Sequence, residues 1–314
     1  MVVGTEFSDD GAVVRHGEDG RGLVLTTDVI APIVDDPEVF GEIAACNALS
    51  DVYAMGGRPL WALNLVFFPD DRLPLAVLRA ILAGGARACA RAGARVIGGH
   101  SVRDPEPKFG LAVTGEVALA EVLSNRRGRA GQVLVLTKAL GTGIVGTAIK
   151  QGVASAEEIA AAVAGMTCLN DQALAAGRRH GVTACTDVTG FGLLGHLVNI
   201  LNGSGVAGTV RMRELPALPG ALGHAAAGRV PGGSRATLAT LRPRLRVRGE
   251  EEPLRTLLAA DAQTSGGLLL TVDEARADAL VADLVARGQV GRVVGRLDAA
   301  SEATPAGTIT LDYT

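Results

Sequence analysis

The sequence predicts a mixed α/β (α+β) fold divided into two domains. A chain of 314 residues is longer than most proteins that fold around a single hydrophobic core. Strand-like and helix-like segments alternate along the chain, and a polar, arginine-rich run at residues 121–131 separates two such series. We therefore place an N-terminal domain at residues 1–120 and a C-terminal domain at residues 129–314.

The N-terminal half reads as two strands, a helix, a strand, a second helix and two more strands. The first helix has apolar residues at helical spacing and stops at Gly56-Gly57, and the second is rich in alanine and arginine and stops at Gly93. We predict strands at 13–15, 23–27, 61–68, 95–97 and 111–117, and helices at 37–55 and 75–92.

The C-terminal half opens with an apolar strand at 133–136 and a glycine loop, Gly141-Thr142-Gly143. Mixed helices and strands follow, among them a strand at 268–272, a helix at 274–286 and a strand at 292–297. Residues 229–252 are charged and contain Pro231-Gly232-Gly233, so we interpret them as largely loop.

Asp187 has the most telling surroundings of any acidic residue in the chain. It ends a strand-like stretch that begins at Ala184, and a glycine-spaced turn then leads into an apolar helix predicted from Leu193 to Asn202 and closed by Gly203. A carboxylate beside the free N–H groups of a helix N-terminus suits a phosphate bound together with a cation.

Three further aspartates, Asp10, Asp28 and Asp51, stand in similar small-residue settings. Asp51 lies in a run that is otherwise mostly apolar, where an unpaired carboxylate is costly and needs a partner or a metal. Because carboxylates repel a polyphosphate, several that converge imply bridging divalent ions, with Mg²⁺ as the best candidate. A lone aspartate in a turn is more often a cap, and Asp35 and Asp36 are explained in that way.

Composition and charge exclude several classes of function. A net charge of −3 argues against nucleic acid as the main partner. No apolar run reaches the length that spans a bilayer, and the first residues do not resemble a signal peptide. We therefore expect a soluble, cytoplasmic protein with no membrane partner.

The four cysteines do not form a recognisable redox or metal motif. Cys46, Cys89, Cys168 and Cys185 have apolar or small neighbours and no C-x-x-C spacing, so they are interpreted as buried, reduced thiols. Only Cys185, two residues before Asp187, leaves a catalytic role open.

Other polar motifs have both a structural and a functional interpretation. Gly98-Gly99-His100-Ser101 and Gly141-Thr142-Gly143 are ordinary turns or ligand loops, and Arg103 and Lys108 flank a loop that is either solvated or holds phosphate. His196 is interpreted as a packed or capping histidine. Because the chain has neither a Walker-type loop nor a dinucleotide fingerprint, a nucleotide site must be built from acids, metal and loops.

In combination, these motifs resemble the selenophosphate synthetase family (selenide, water dikinase), within the superfamily of aminoimidazole ribonucleotide synthetases. The resemblance covers nearly the whole chain. It rests on Asp9-Asp10-Gly11-Ala12-Val13, Thr26-Thr27-Asp28, Asn47-Ala48-Leu49-Ser50-Asp51, Gly98-Gly99-His100-Ser101, Glu106-Pro107-Lys108-Phe109-Gly110, Thr186-Asp187-Val188-Thr189-Gly190-Phe191-Gly192, Val230-Pro231-Gly232-Gly233 and Gln263-Thr264-Ser265-Gly266-Gly267-Leu268.

The resemblance implies a two-domain aminoimidazole ribonucleotide synthetase-like fold and a homodimer. The N-terminal domain would bind ATP and Mg²⁺ and form a β-barrel at the dimer interface, and the C-terminal domain would be a mixed sheet flanked by helices. The implied metal ligands are Asp10, Asp51 and Asp187. The implied nucleotide-binding residues are Phe7, Ser8, Asp9, Asp28, Asp51, Gly99, His100 and Ser101.

The implied reaction makes selenophosphate, AMP and phosphate from ATP, selenide and water, with selenide free or brought by a selenium-delivery protein. The family has a glycine-rich arm with a reactive Cys or selenocysteine and a Lys, but here no Cys precedes Cys46 and no Lys precedes Lys108. By the resemblance, these reactive residues would lie upstream of Met1. We therefore assign no catalytic residue and expect ATP binding with weak or no activity.

Two alternatives to this family stay open. One is an aminoimidazole ribonucleotide synthetase or thiamine-monophosphate kinase type of enzyme, which would also use ATP. The other is a non-catalytic paralogue that binds ATP without turnover.

Overall fold

Two separate β-sheets organise the chain, which a computed structural model describes over residues 1–314. The first sheet has five strands and the second has seven. The strands of the first sheet are β1 (Ala12–His16), β2 (Arg21–Ile30), β3 (Arg58–Phe68), β4 (Arg95–Arg103) and β5 (Lys108–Ala118). All of them precede the polar run from which the sequence predicted a domain boundary.

The first sheet has the strand order β1-β2-β5-β3-β4. Neighbouring strands are antiparallel except β3 and β4, which are parallel. The sheet is open within one chain, so β1 and β4 are edge strands. The barrel that the resemblance implies would need a second copy of the chain to complete it, and it stays a prediction.

Two helices, α1 (Pro37–Ala54) and α2 (Leu75–Arg91), pack against each other beside the first sheet. Asp36 caps α1, as expected, because its side chain accepts hydrogen bonds from the N–H groups of Glu38 and Val39. The helices approach closely at glycines: a Cβ atom on Gly84 would lie 1.9 Å from the carbonyl oxygen of Glu38. This contact presses α1, which carries Asp51, onto its neighbours.

Replacing Gly84 by Ala is expected to destabilise the protein by about 2 kcal/mol or more, because the added methyl group meets a backbone atom that cannot move alone. Urea unfolding measures the change in the free energy of unfolding. Gly223→Ala is the matched control, since no atom lies within 4 Å of the position its Cβ would take. Equal stability of the two variants would contradict the close helix crossing.

The second sheet has the strand order β7-β10-β6-β11-β8-β12-β9 and mixes antiparallel with parallel pairs. Its strands are β6 (Gln132–Leu136), β7 (Cys185–Asp187), β8 (Ala207–Arg211), β9 (Leu245–Arg248), β10 (Leu268–Asp273), β11 (Arg292–Asp298) and β12 (Ile309–Asp312). The helices of this half are α3 (Thr142–Lys150), α4 (Ala156–Thr167), α5 (Asp171–Arg179), α6 (Gly192–Ser204), α7 (Ala221–Ala226), α8 (Gly232–Leu241), α9 (Pro253–Ala259) and α10 (Glu274–Ala286). The predicted mixed α/β class is confirmed.

Several predicted strands are longer than expected, and three assignments need correction. The strand expected at 95–97 runs on through Gly98-Gly99-His100-Ser101 to Arg103, because these residues pair with β3. The helix expected to close at Gly203 continues to Ser204 and is capped by Gly205, whose φ of 67° suits glycine. Residues 229–252, interpreted as loop, contain α8 and β9, because tertiary packing overrides their polar composition.

No single helix is long and apolar enough to cross a membrane. Only α4 and α5 taken together reach that length and composition, and the pair is bent by 59°.

Candidate functional site

Four aspartates from distant parts of the sequence meet where the two halves of the chain touch. Asp10 precedes β1, Asp28 lies on β2, Asp51 lies in α1 and Asp187 ends β7. Ligand atoms of Asp10, Asp187 and His196 lie within 4.8 Å of one another. The charges of Asp187, Asp28 and Asp10 all act on Asp51. The structure thus brings together all four acids that the sequence singled out.

Asp187 is placed by a short strand and a sharp turn. Its backbone pairs with that of Leu268 across β7 and β10. The chain then turns into α6 at Gly192, which has a φ of 64°, and a Cβ atom at that position would lie 2.7 Å from the backbone of Ala260. Only glycine meets both demands, so the Gly-Phe-Gly turn serves to aim the acid and the helix N-terminus together.

Polar neighbours fix the orientation of Asp28 and Asp51. The hydroxyl of Thr26 on β2 donates to Oδ2 of Asp51, and the side-chain amide of Asn47 in α1 donates to Oδ2 of Asp28. Asn47 Oδ1 in turn accepts the backbone N–H of Ser265 at 2.8 Å. These contacts tie the strand, the helix and the second half of the chain into one network.

The other two acids, Asp187 and Asp10, are each oriented by a residue from the opposite half of the chain. Ser50 in α1 lies beside Asp187 and lowers the pKa of that carboxyl, and the side-chain amide of Asn170 donates to the Ser50 hydroxyl at 2.8 Å. The Thr186 hydroxyl donates to Oδ1 of Asp10 at 2.9 Å. The sequence analysis missed Thr26, Ser50, Asn170 and Thr186 as functional residues; Ser50 directly before Asp51 and Asn47 one turn before it were the available signals.

Burial and mutual repulsion disfavour ionisation of the cluster. Burial and the charges of neighbouring aspartates raise the pKa values of Asp10 and Asp51 well above the usual range of an aspartate. The same causes raise the pKa of Asp187 to about 6. Burial also raises the pKa of Asp28, although the hydrogen bond from Asn47 opposes it. A divalent cation would reverse this cost by neutralising the negative charge.

Two carboxylate oxygens of the cluster show where a cation fits. Oδ2 of Asp10 and Oδ2 of Asp187 are buried and have no hydrogen-bond partner. Orphaned buried carboxylate oxygens are rare in folded proteins, and hard divalent cations such as Mg²⁺ prefer oxygen ligands. The residues present therefore fit a Mg²⁺ ion bound between Asp10 and Asp187, with Asp51 beside them.

His196 packs beside the cluster as a neutral side chain. Its Nε2 accepts the backbone N–H of Thr189 at 3.2 Å, as the capping interpretation predicted. Burial lowers the pKa of His196 to about 4, so the ring brings no positive charge to a site that would hold a cation.

The stretch Phe7-Ser8-Asp9 is held against the connection between the two sheets. Asp9 Oδ1 accepts the backbone N–H of Asn125 at 2.7 Å, and the Asn125 side chain donates to the carbonyl oxygens of Phe7 and Ser8. Arg126 lies over the Phe7 ring at 5.1 Å. The structure thus shows a positioning role for this stretch, directly before Asp10.

Met1 stands at the start of the segment that leads to Asp10, and its side chain is exposed. The N–H groups of Val2 and Val3, which follow it, both donate to the carbonyl oxygen of Val13 on β1. Between Met1 and Asp10 there is neither a cysteine nor a lysine, so this segment brings no side-chain thiol or side-chain ammonium group to the aspartates. The reactive residues that the resemblance places upstream of Met1 stay a prediction, and no catalytic residue is assigned in their place.

The stretch Gly99-His100-Ser101 does not join the acids within one chain. It lies on the exposed edge strand β4, and β3 and β5 separate it from β2, which carries Asp28. A Cβ atom on Gly99 would lie 2.3 Å from the carbonyl oxygen of Asn64, so close strand pairing already explains this glycine.

The loop Gly141-Thr142-Gly143 is satisfied internally. The N–H groups of Gly141 and Thr142 donate to Gln263 Oε1, and those of Gly143 and Ile144 donate to Asp261 Oδ2. These amides are therefore not free for phosphate, and the polar turn at 261–267 serves as a cap for α3.

The remaining candidates have structural explanations. Arg103 pairs with Asp70, and Lys108 pairs with Asp104. All four cysteines are free, and burial raises the pKa of Cys185 well above its usual range, which keeps it a thiol. No catalytic role for Cys185 follows from these surroundings.

Comparison with known proteins gives matches over nearly the whole chain. The family model described as AIR synthase related protein, N-terminal domain, matches residues 8–117, and the model for the C-terminal domain matches residues 129–305. The selenide, water dikinase of Myxococcus xanthus is 47% identical over 301 residues, covering 95% of this chain and 85% of the relative. That of Porphyromonas gingivalis is 44% identical over 284 residues, covering 90% and 81%.

Solved structures show the same fold at lower sequence identity. Thiamine-monophosphate kinase from Stenotrophomonas maltophilia has a TM-score of 0.70 at 18% identity, covering 98% of this chain and 92% of that one. The hydrogenase maturation protein HypE in complex with ATP has a TM-score of 0.67 at 18% identity, covering 92% and 81%. At this level of identity the likeness concerns the fold alone.

Proposed function

The chain belongs to the selenide, water dikinase family of AIR synthase-related proteins, and from that premise we propose that it converts selenide, water and ATP into selenophosphate, AMP and phosphate. The four-aspartate cluster is the observation that carries the proposal. Phosphoryl transfer needs charge neutralisation and positioning more than covalent help from the protein, and converging acids with free oxygens supply ligands for the necessary cation.

Each residue of the cluster has a distinct part in this proposal. Asp10, Asp51 and Asp187 hold Mg²⁺, which neutralises phosphate charge when bound. Thr186 orients Asp10 and Thr26 orients Asp51, so that the carboxylates need little rearrangement on binding. The N-terminus of α6, which the turn at 188–191 connects to Asp187, offers N–H groups to the phosphates.

Turnover is tested with the protein expressed from its complete gene. Under anaerobic conditions, the protein should consume ATP and release AMP only when hydroselenide is added. Selenophosphate should then be visible by phosphorus NMR. Thiamine monophosphate should not replace hydroselenide. ATP binding with no turnover would favour the non-catalytic paralogue, and turnover with thiamine monophosphate would favour the kinase alternative.

The open face of the first sheet supports the proposed homodimer. Leu25 on β2 and Trp61 on β3 are 41% and 45% exposed, and both neighbour Thr114 of β5 on this face. Other exposed apolar side chains on β3 and β4 are Leu63, Ile97 and Val102. Since α1 and α2 pack beside the sheet without covering these side chains, a second copy is the proposed cover.

A dimer would also give Gly99-His100-Ser101 a role. This stretch lies on the edge strand β4, where a second copy of the chain packed against that edge would enclose it and bring it to a nucleotide at the interface. The proposal therefore includes this contact and a β-barrel at the dimer interface. It also includes an N-terminal domain at residues 1–120 that binds ATP and Mg²⁺ and forms the dimer, and a C-terminal domain at residues 129–314.

Trp61→Glu is expected to break the dimer, because it places a charge in the middle of the apolar face. Light scattering at micromolar concentration should report two 32.0 kDa chains for the wild type and one for the variant. Val247→Glu is the matched control: Val247 is also 45% exposed but lies on β9 of the other sheet. A monomeric wild type that binds Mg-ATP would count against the proposed assembly.

A further inference from the structure

A cavity with a volume of about 260 Å³ lies near the acid cluster, in the second half of the chain. Its walls are the β6–α3 connection, α4, the turn before β10 and the residues before β11. Ser265 and Gly266 form the wall nearest the acids: Ser265 bonds Asn47, and the carbonyl oxygen of Gly266 accepts from Asn170. Ser265 and Gly266, with Asn47 and Asn170 beyond them, therefore separate this cavity from the four aspartates.

Lys138 brings a buried positive charge to this cavity. Its side chain is 7% exposed, and Nζ donates to the carbonyl oxygens of Cys168 at 2.7 Å and Ser265 at 3.0 Å. Both partners are neutral, and no carboxylate pairs with it directly. A buried ammonium without a counter-ion is costly, so an anion in the adjoining space would stabilise it.

Two further polar groups in the lining lack partners. Ser265 Oγ and Gln289 Oε1 are buried and make no hydrogen bond, although the two residues are only 1% and 8% exposed. Gln289 uses its amide nitrogen on the sulfur of Cys168 at 3.6 Å, which leaves the oxygen free to accept. The cavity therefore offers the Ser265 hydroxyl as a donor and one amide oxygen as an acceptor besides the ammonium group. The hydroxyl of Thr137, which accepts the N–H of Leu268, is a second donor in the lining.

The balance of these groups indicates the class of anion. Lys138 has one N–H left, and Ser265 and Thr137 have one O–H each, which is too few donors for a phosphate with its many acceptor sites. Gln289 Oε1 would repel a fully deprotonated oxyanion but can accept a hydrogen. A hydrochalcogenide ion, HS⁻ or HSe⁻, carries one negative charge and one hydrogen, and it suits a lining otherwise made largely of alanine, glycine and other apolar residues.

We propose that this cavity binds a hydrochalcogenide anion through Lys138, Ser265 and Gln289. The binding is non-covalent. Selection of hydroselenide as the natural ligand rests on the proposed function, whereas the anion site itself rests only on the cavity. In that setting the cavity would hold selenide next to the hydrogen-bond network that orients the four aspartates.

Anaerobic calorimetry with sodium hydrosulfide, and then with sodium hydroselenide, tests the site in the absence of nucleotide. The wild type should bind one anion per chain. Lys138→Met should weaken binding about tenfold or more, since it removes a charge-assisted hydrogen bond. Lys150→Met is the matched control, because Lys150 is an exposed lysine in the last turn of α3 and should leave the affinity unchanged.

A direct measurement covers the case in which Lys138→Met does not fold. Wild-type crystals soaked in iodide, a soft monoanion with anomalous scattering, should show a peak beside Lys138 Nζ, and peaks confined to the molecular surface would overturn the site. Unchanged hydrosulfide affinity in a folded Lys138→Met variant, an equal loss in Lys150→Met, or no hydrosulfide binding by wild type that binds Mg-ATP would also overturn it. Lys138-dependent binding, with no selenophosphate formed by the protein expressed from its complete gene, would support the anion site and reject the proposed function.

Discussion

Replacing Asp187 by Asn is expected to weaken Mg²⁺-dependent ATP binding about 100-fold or more, because the change removes a carboxylate whose free oxygen faces the proposed metal position. The same change should stabilise the metal-free protein. A pKa raised from 3.8 to about 6 means that the ionised group costs up to about 3 kcal/mol at neutral pH, and Asn carries no such charge.

Calorimetry with ATP, in Mg²⁺ and in EDTA, measures the binding effect, and urea unfolding in EDTA measures stability. Asp51→Asn should behave in the same way, since Asp51 is buried in the same cluster. Asp278→Asn, at an exposed position of α10, is the matched control and should change neither quantity. Unchanged ATP affinity in both cluster variants would remove the metal assignment.

In the metal-free protein, the contribution of the Asp187 carboxyl group to the free energy of unfolding should fall as pH rises. For Asp187 the folded pKa of about 6 lies above the unfolded value near 3.8, so the folded state binds more protons between those values. Stability from this group is therefore highest below about pH 4 and is lost as pH rises through about 6. Mg²⁺ should restore it at pH 7 to 8 by binding the ionised form.

Over the same pH range, the contribution of His196 to stability changes in the opposite direction to that of Asp187. The experiment must therefore separate the two contributions. Its folded pKa of about 4 lies below the ordinary 6.5, so its contribution grows as pH rises from about 4 to 6.5. The contribution of Asp187 is therefore the difference in the free energy of unfolding between wild type and Asp187→Asn, because His196 is present in both proteins. In EDTA, the advantage of Asp187→Asn in free energy of unfolding should grow from pH 5 to pH 8. A difference that is flat across this range would refute the raised pKa of Asp187.

Much of the candidate site was predictable because its acids are conspicuous in sequence. Asp51 stood out as a charge in an otherwise apolar helix, and Asp187 as an acid between a strand and a glycine-spaced turn. Their supporting hydroxyls and amides were not predictable, because Thr26, Thr186 and Asn170 are ordinary polar residues whose value lies only in what they face. Lys138 was missed for the same reason, since a single lysine after a strand shows nothing of its burial.

The sequence by itself determined the mixed α/β class, the family and the four aspartates, because hydrophobic period, turn residues and motif order are local properties of the chain. Tertiary structure alone decided which groups meet. It placed acids more than a hundred residues apart in one cluster, turned Gly141-Thr142-Gly143 from a possible phosphate loop into a capped helix start, and set Gly99-His100-Ser101 on an exposed edge strand. The physical reason is that burial, desolvation and hydrogen-bond partners depend on packing between distant segments, which no local pattern records.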